Sequence, residues 1–309
     1  MNIISASRKT DIPTFYMNWF MERIREEKAY VHNPYQKEAV EVSLKLEDVA
    51  AIVFWSKNYK PALKRLIELK DMGYRMYFHY TITGQRKSSE KYVSPLQTNI
   101  ETFKWISEHF SREQINWRFD PIFFTTKMQE NYYLEIFQYM CEELKGFTNS
   151  CYTSFVTFYS KVQRNIKREL EGDVPIEISV ERQKQLLMKM EIIARKCDIQ
   201  LYSCCQDHLA EIQGIEKGSC INVPYLSKLF DIDFDSRKAA TREECGCYKS
   251  FDIGFYNTCP HGCVYCYANL SQSHALKNYK NHDKNSNFIL NSEGIKIKEK
   301  ESEQLSLFD

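Results

Sequence analysis

Val49-Ala50-Ala51-Ile52-Val53-Phe54-Trp55 is a run without a charged residue. A strand with one wet face alternates apolar and polar residues, whereas a strand covered on both faces does not need to. The run therefore predicts a buried strand of a parallel sheet. The sequence after it agrees. Pro61 opens a helix carrying Leu63, Leu66, Ile67 and Leu69 at helical spacing, Gly73 ends it, and Met76 to Ile82 is the next strand.

The same rhythm extends in both directions. Upstream, Asn2 to Ala6 reads as a short buried strand, followed by a polar loop in which Asp11 is an N-cap ahead of Pro13. Phe15, Tyr16, Trp19, Phe20, Arg23 and Ile24 then recur at helical spacing, and Tyr30–Val31 with Val40–Leu44 predicts a small hairpin around Asn33-Pro34. Downstream, Ser94-Pro95 starts a helix with Leu96, Ile100, Phe103, Ile106 and Phe110 on one side. Ile115 to Phe119 is a strand broken by Asp120-Pro121, and Tyr132 to Leu144 is a helix stopped by Gly146. Tyr152 to Tyr159 is a strand, 160–180 a polar loop with a short helix, Glu181 to Lys196 a helix, and Ile199 to Ser203 a strand. Six strands alternating with helices predict an α/β fold with a parallel sheet. A partial (β/α)6 barrel and a doubly wound open sheet both satisfy that rhythm.

Composition allows a sizeable core, since 43% of the 309 residues are hydrophobic. Aromatics at 14% suit either a bulky core or inner surfaces that stack on bases or adenine. A net charge of +1 gives no global signature of nucleic-acid binding, although a local basic groove is compatible with it. Eleven cysteines without a signal peptide point to a reducing cytoplasm, where thiols serve metals rather than disulfides. No apolar run reaches the ~18–20 residues of a membrane span, so no membrane partner is expected.

Cys259-Pro260-His261-Gly262-Cys263-Val264-Tyr265-Cys266 places three thiols at C-x3-C-x2-C spacing. Three thiolates can hold three irons of a 4Fe–4S cluster and leave the fourth open. Gly262 lets the backbone bend between ligands and Pro260 stiffens the first loop. Structural zinc sites take four ligands, which this stretch does not supply locally; zinc and unrelated buried thiols remain the alternatives.

This spacing, with an aromatic before the last cysteine, resembles the signature of the radical S-adenosylmethionine (SAM) enzymes. The longer string from Asp252-Ile253-Gly254-Phe255-Tyr256-Asn257-Thr258 to Tyr267-Ala268-Asn269 is similar to their spore-photoproduct-lyase-like branch. Ser5-Ala6-Ser7-Arg8-Lys9-Thr10-Asp11-Ile12-Pro13 and Phe54-Trp55-Ser56-Lys57-Asn58 are similar to an uncharacterised bacterial family with that signature at its C-terminal end. The resemblance implies a partial (β/α)6 TIM-like barrel, a 4Fe–4S cluster, SAM, and an electron donor such as flavodoxin or ferredoxin. It also implies that Tyr265 lies against the adenine. In most such enzymes the cluster loop follows the first barrel strand, whereas here it follows six strand candidates. A circularly permuted barrel is therefore expected, with the cluster strand beside the N-terminal strand. No glycine-glycine-glutamate motif for the SAM amine is evident.

Outside that loop, Cys204, Cys205, Cys220, Cys245 and Cys247 form a second set. Four of them, with Cys204 preferred to Cys205, are expected to hold an auxiliary 4Fe–4S cluster or, as the second choice, zinc. Cys141, Cys151 and Cys197 fall in or beside regular elements and read as structural. A parallel barrel forms its site at the C-terminal ends of its strands. That rule selects Ser7, Arg8, Lys9, Lys57, Asn58, Thr81, Thr83, Arg118, Asp120 and Tyr159. Arg8, Lys57, Arg118 and Asp120 are the catalytic candidates, and Asn58 joins Tyr265 as a cofactor contact. Arg118 and Asp120 share strand parity, so they face one side, to bind SAM or substrate or as an internal ion pair.

The expected organisation is a barrel core over 1–205, a Cys-rich segment over 206–272 and a flexible tail over 273–309. The tail ends in Gln304-Leu305-Ser306-Leu307-Phe308-Asp309. This resembles the peptide by which bacterial repair and replication proteins dock on the DNA sliding clamp, with Gln304, Leu305, Leu307 and Phe308 as anchors. The expected function is a radical SAM enzyme of DNA repair or nucleotide modification, brought to DNA by the clamp. The alternatives are radical SAM modification of a small molecule or peptide, and a non-catalytic iron–sulfur or zinc protein.

Overall fold

A computed structural model describes residues 1–32, 38–170, 172–234, 236–290 and 295–298. In chain order, β1 (Asn2–Ala6) leads to α1 (Ile12–Phe15) and α2 (Met17–Arg25), then to the hairpin β2 (Lys28–His32) and β3 (Glu38–Ser43). There follow β4 (Val49–Ser56), α3 (Leu63–Asp71), β5 (Met76–Thr81), α4 (Leu96–His109), β6 (Ile115–Ile122), α5 (Glu130–Leu144) and β7 (Ser150–Phe155). After these come α6 (Ser160–Glu169), α7 (Val180–Lys196), β8 (Gln200–Ser203), β9 (Ile215–Lys217) and α8 (Val223–Phe230). The described part closes with β10 (Phe251–Asp252), α9 (Gln272–Lys280) and β11 (Lys296–Lys298).

The fold is α/β, built on an eight-stranded sheet in the order β10-β1-β4-β5-β6-β7-β8-β9. Every pairing in it is parallel. Apart from β10, the order never reverses. Right-handed crossovers then put every connecting helix on the same face. The packing agrees: Phe20, Leu66, Phe103, Phe137, Ile166 and Leu187, from α2 to α7, share one core with Phe54, Phe78, Trp117 and Cys151 of the strands. A doubly wound sheet would divide these helices between two faces. No pairing closes β9 onto β10 among the described residues.

The other face carries the alternate residues of the same strands. Val53, Tyr77 and Tyr152 pack against Ile221, Val223, Leu226 and Phe234. The chain around α8 thus crosses the inner face on its way from the β9 edge to the β10 edge. Burying such side chains contributes about 1.5–3 kcal/mol each. The region after Gln206, expected to be irregular, therefore contains a strand, a helix and a second core.

Other boundaries differ from expectation for physical reasons. Pro121 does not end β6; it lacks an N–H, the register shifts between Phe119 and Ile122, and pairing resumes at Ile122 with Phe155. β7 stops at Phe155, and Tyr159 caps α6 and is exposed. The tail expected from residue 273 begins with order: Ser271 caps α9 through Oγ, Phe288 and Ile289 are buried, and β11 pairs with β3. The β2–β3 pairing is antiparallel, as a hairpin requires. Asn33, Pro34, Gln304, Leu305, Leu307 and Phe308 lie outside the described residues. No helix among the described residues is long and apolar enough to cross a membrane.

Candidate active site

The C-terminal ends of the sheet strands gather the polar residues. β10 is fastened there by Asp252. Its Oδ2 accepts from Ser5 Oγ (2.8 Å) and the Arg8 N–H (2.9 Å), and its Oδ1 accepts from Ser7 Oγ (2.6 Å) and the Gly254 N–H (3.0 Å). A Cβ at Gly254 would stand 2.0 Å from Ser7 Oγ, so only glycine allows this approach. The cysteine loop follows and is held along its length. Tyr16 OH donates to the Thr258 carbonyl (2.5 Å), Asn269 Nδ2 to that of Cys259 (2.7 Å) and Gln272 Nε2 to that of Pro260 (2.6 Å). Gly262 takes a φ of +71° between two of the cysteines.

Two buried polar pairs orient the loop. His261 Nε2 lies 2.7 Å from Asp11 Oδ2. Asp11 also caps α1 through the Thr14 N–H (2.9 Å) and accepts from Ser56 Oγ (2.8 Å) and the Lys57 N–H (2.8 Å). Burial alone would raise the Asp11 carboxyl, but His261 and these donors hold it below the usual range. The second pair is Lys57 Nζ to Glu90 Oε1 at 2.7 Å. Thr83 Oγ1 (2.8 Å) and Tyr265 OH donate to the same carboxylate. Burial pushes Glu90 up, yet Lys57, Tyr265 and Thr83 hold it below its ordinary value. Lys57 Nζ also lies 5.6 Å from the centre of the Tyr265 ring.

Burial pushes the Cys259, Cys263 and Cys266 thiols up, and Cys259 is raised further by Asp11, Cys266 and Cys263. Lys57 opposes the rise at Cys263, and backbone N–H groups at Ala268 and Asn269 oppose it at Cys266. The three sulfurs thus sense one another in a setting where a cation would take their protons. With the side chains as they stand, no group of three or more His, Cys, Asp or Glu among the described residues is arranged to hold a metal ion. An iron–sulfur cluster needs less convergence, because each thiolate bonds a different iron. On the chemistry of the donors, the loop fits such a group.

The sequence-selected residues divide between two places. Lys57 and Tyr265 join the cysteine loop. Asn58 lies beside it, but its Oδ1 is taken by the Lys60 N–H (3.1 Å). Arg118 and Asp120 do share a side and are paired, and Arg118 Nη1 reaches Cys220 Sγ at 3.0 Å. Arg8 stacks over Trp55 (5.2 Å) on that same inner face. Cys204, Cys205, Cys220, Cys245 and Cys247 meet there, with Cys204 Sγ 3.6 Å from Cys220 and 3.8 Å from Cys205. Sequence reasoning missed Glu90, the pairing of Asp11 with His261, and His79. The imidazole of His79 is buried among Trp55, Tyr77 and Tyr152, with Nε2 2.8 Å from the Cys220 carbonyl oxygen. Burial, then Arg118, lowers its pKa to about 3. The one available signal was parity, since His79 alternates with Phe78 and Tyr80 of the helix-side core.

The family described as "Domain of unknown function (DUF1848)" matches residues 3–268. The chain belongs to that family. Neither the curated proteins nor the solved structures gave a match.

Proposed function

We propose that this member of the DUF1848 family is a radical SAM enzyme whose 4Fe–4S cluster is held by Cys259, Cys263 and Cys266. The observation that carries the reading is the hydrogen-bonded anchoring of the three-cysteine loop at the C-terminal edge of a parallel sheet, beside the Lys57–Glu90 pair. Parallel α/β folds place their chemistry at that edge. In this reading the sheet is a partial, circularly permuted (β/α)6 barrel. Two features support it: the helices α2 to α7 share one face, and β10 occupies the edge beside β1, where a first barrel strand would stand.

When bound, the cluster supplies one electron to cleave SAM and release a 5′-deoxyadenosyl radical. The chain's own residues do the rest. Glu90 fixes the Tyr265 hydroxyl, so the ring stays in place as a flat contact for adenine. Lys57, paired with Glu90, and Asp120, paired with Arg118, are the charged groups assigned to the amino-acid end of SAM. Asp11 holds His261 and thereby the turn between the first two cysteines. The proposed setting is the reducing cytoplasm, with electrons from a flavodoxin or ferredoxin. The proposed substrate is DNA or a nucleotide derivative, reached through the sliding clamp by Gln304, Leu305, Leu307 and Phe308.

Anaerobic reconstitution tests the enzyme reading. The expected result is a 4Fe–4S paramagnetic signal that changes when SAM is added, with 5′-deoxyadenosine released after reduction. Both should vanish when Cys259, Cys263 and Cys266 are replaced together by alanine. A cluster blind to SAM, or zinc alone in that loop, would leave a non-catalytic metalloprotein.

A further inference from the structure

Cys204, Cys205, Cys220, Cys245 and Cys247 gather in one cluster on the inner face. Cys204 Sγ touches Cys205 (3.8 Å) and Cys220 (3.6 Å). Cys247 lies in the same buried cluster as Cys204 and Cys220, and Cys205 and Cys245 pack against it. The group joins the end of β8 to two separate parts of the segment that crosses the inner face. Its assembly uses close backbone approaches. The Gly218 N–H donates to the Ser203 carbonyl (2.6 Å), and a Cβ at Gly218 would stand 2.9 Å from that oxygen and 3.0 Å from the Tyr152 ring.

We propose that Cys204, Cys220, Cys245 and Cys247 form a mononuclear tetrathiolate site of the zinc class, with Cys205 outside the coordination sphere. Distance is the first argument. A tetrahedral ion with Zn–S bonds of about 2.3 Å sets its sulfurs about 3.8 Å apart. The spacing between the proposed ligands Cys204 and Cys220, 3.6 Å, is already close to that. A cubane cluster spreads its thiolates over four separate irons and needs a wider nest. The thiols now form a loose cluster, and an ion would draw four of them inward. A disulfide requires about 2.05 Å between sulfurs, far shorter than either contact.

Charge is the second argument. Arg118 Nη1 lies 3.0 Å from Cys220 Sγ, and Arg242 Nη2 lies 4.0 Å from Cys204 Sγ. Arg8, stacked over Trp55 on the same face, has its Nε buried with no hydrogen-bond partner among the described residues. Asp120 pairs with one of these three cations, Arg118. Four thiolates around a dication carry two negative charges, which suits a cationic surround.

Cys204 is preferred over Cys205 because it continues the side of Tyr202, which packs on the inner face. Cys204, Cys220 and Cys247 are buried, and Cys205 and Cys245 are both partly so. A metal here would act as a staple with no redox role, fixing the crossing segment against β8. The proposal does not depend on the radical SAM reading.

The test is elemental analysis and sulfur-edge and metal-edge X-ray absorption on the Cys259→Ala, Cys263→Ala, Cys266→Ala triple variant of the full chain. The expected result is one zinc per chain with four sulfur neighbours. Cobalt loading should give the visible bands of a tetrahedral thiolate site. Cys205→Ser should keep the metal, while Cys220→Ser or Cys247→Ser should lose it. The triple variant leaves these cysteines untouched, so the result survives even where a variant of one of them fails to fold. Iron with sulfide, a disulfide by thiol count, or no metal in the triple variant would each overturn the proposal. Loss of SAM-dependent chemistry in the wild-type protein, with zinc retained, would overturn the radical SAM reading alone.

Discussion

At the residue scale, the Lys57–Glu90 pair sets a pH dependence that can be reversed by one substitution. Glu90 is buried, and its folded pKa is lowered by Lys57 despite the opposing effect of burial. A lowered carboxyl stabilises the fold above its unfolded pKa of about 4.3, and that contribution is lost as pH falls. In Lys57→Met the carboxylate is buried without its cation, at a cost of about 3–5 kcal/mol. Glu90 then binds a proton instead, its folded pKa rises above the unfolded value, and stability falls as pH rises. Urea midpoints should fall in wild type as pH drops below about 4.3, whereas those of Lys57→Met should fall as pH rises above about 4.3. Adding Glu90→Gln should flatten the variant's slope, and equal slopes throughout would refute the pairing. How much of this was legible also shows at single residues. Asp11 was readable as a cap because its helix start, with Pro13, is local. Its bonds to Ser56, Lys57 and His261 come from distant parts of the chain and leave no mark in spacing. Glu90 was invisible for the same reason: it sits in a loop without periodicity.

At the element scale, the strands alternate between two different surroundings. Phe78 and Trp117 face the helices, while Tyr77, His79 and Arg118 face the segment around α8. The continuous apolar run of β4 announced cover on both faces, and both are covered. What covers the inner face was not legible. α8 is short, and the residues beside it carry cysteines and charges rather than a helical stripe. Leu226 is 1% exposed. Leu226→Ala should lower stability by about 2–5 kcal/mol within a single cooperative unfolding transition. A separate early transition, followed by hydrogen exchange over 218–234, would instead make the crossing segment an independent unit.

At the scale of the whole molecule, the unreversed strand order was only partly legible. Periodicity gives strands and helices but not the edge to which a late strand returns, and β10 has only two residues to signal it. The tail prediction belongs to this scale, because a tether raises local concentration without reshaping the fold. A peptide of residues 300–309 should bind a purified bacterial sliding clamp at about micromolar strength, with Phe308→Ala weakening it tenfold or more, a loss of about 1.4 kcal/mol. Titration calorimetry reads both, and no binding would remove the link to DNA. The pairing of β10 with β1 has a consequence in time. A ribosome makes the first strand of this sheet early and its neighbour only after every other strand of the sheet. Until Asp252 arrives, Ser5, Ser7 and the Arg8 N–H lack their carboxylate, and one edge of β1 lacks its ladder. The thiols of Cys259, Cys263 and Cys266 emerge later still. A chain interrupted before Cys266 therefore lacks this loop, and only one that has passed it can bring the three thiols to their seat.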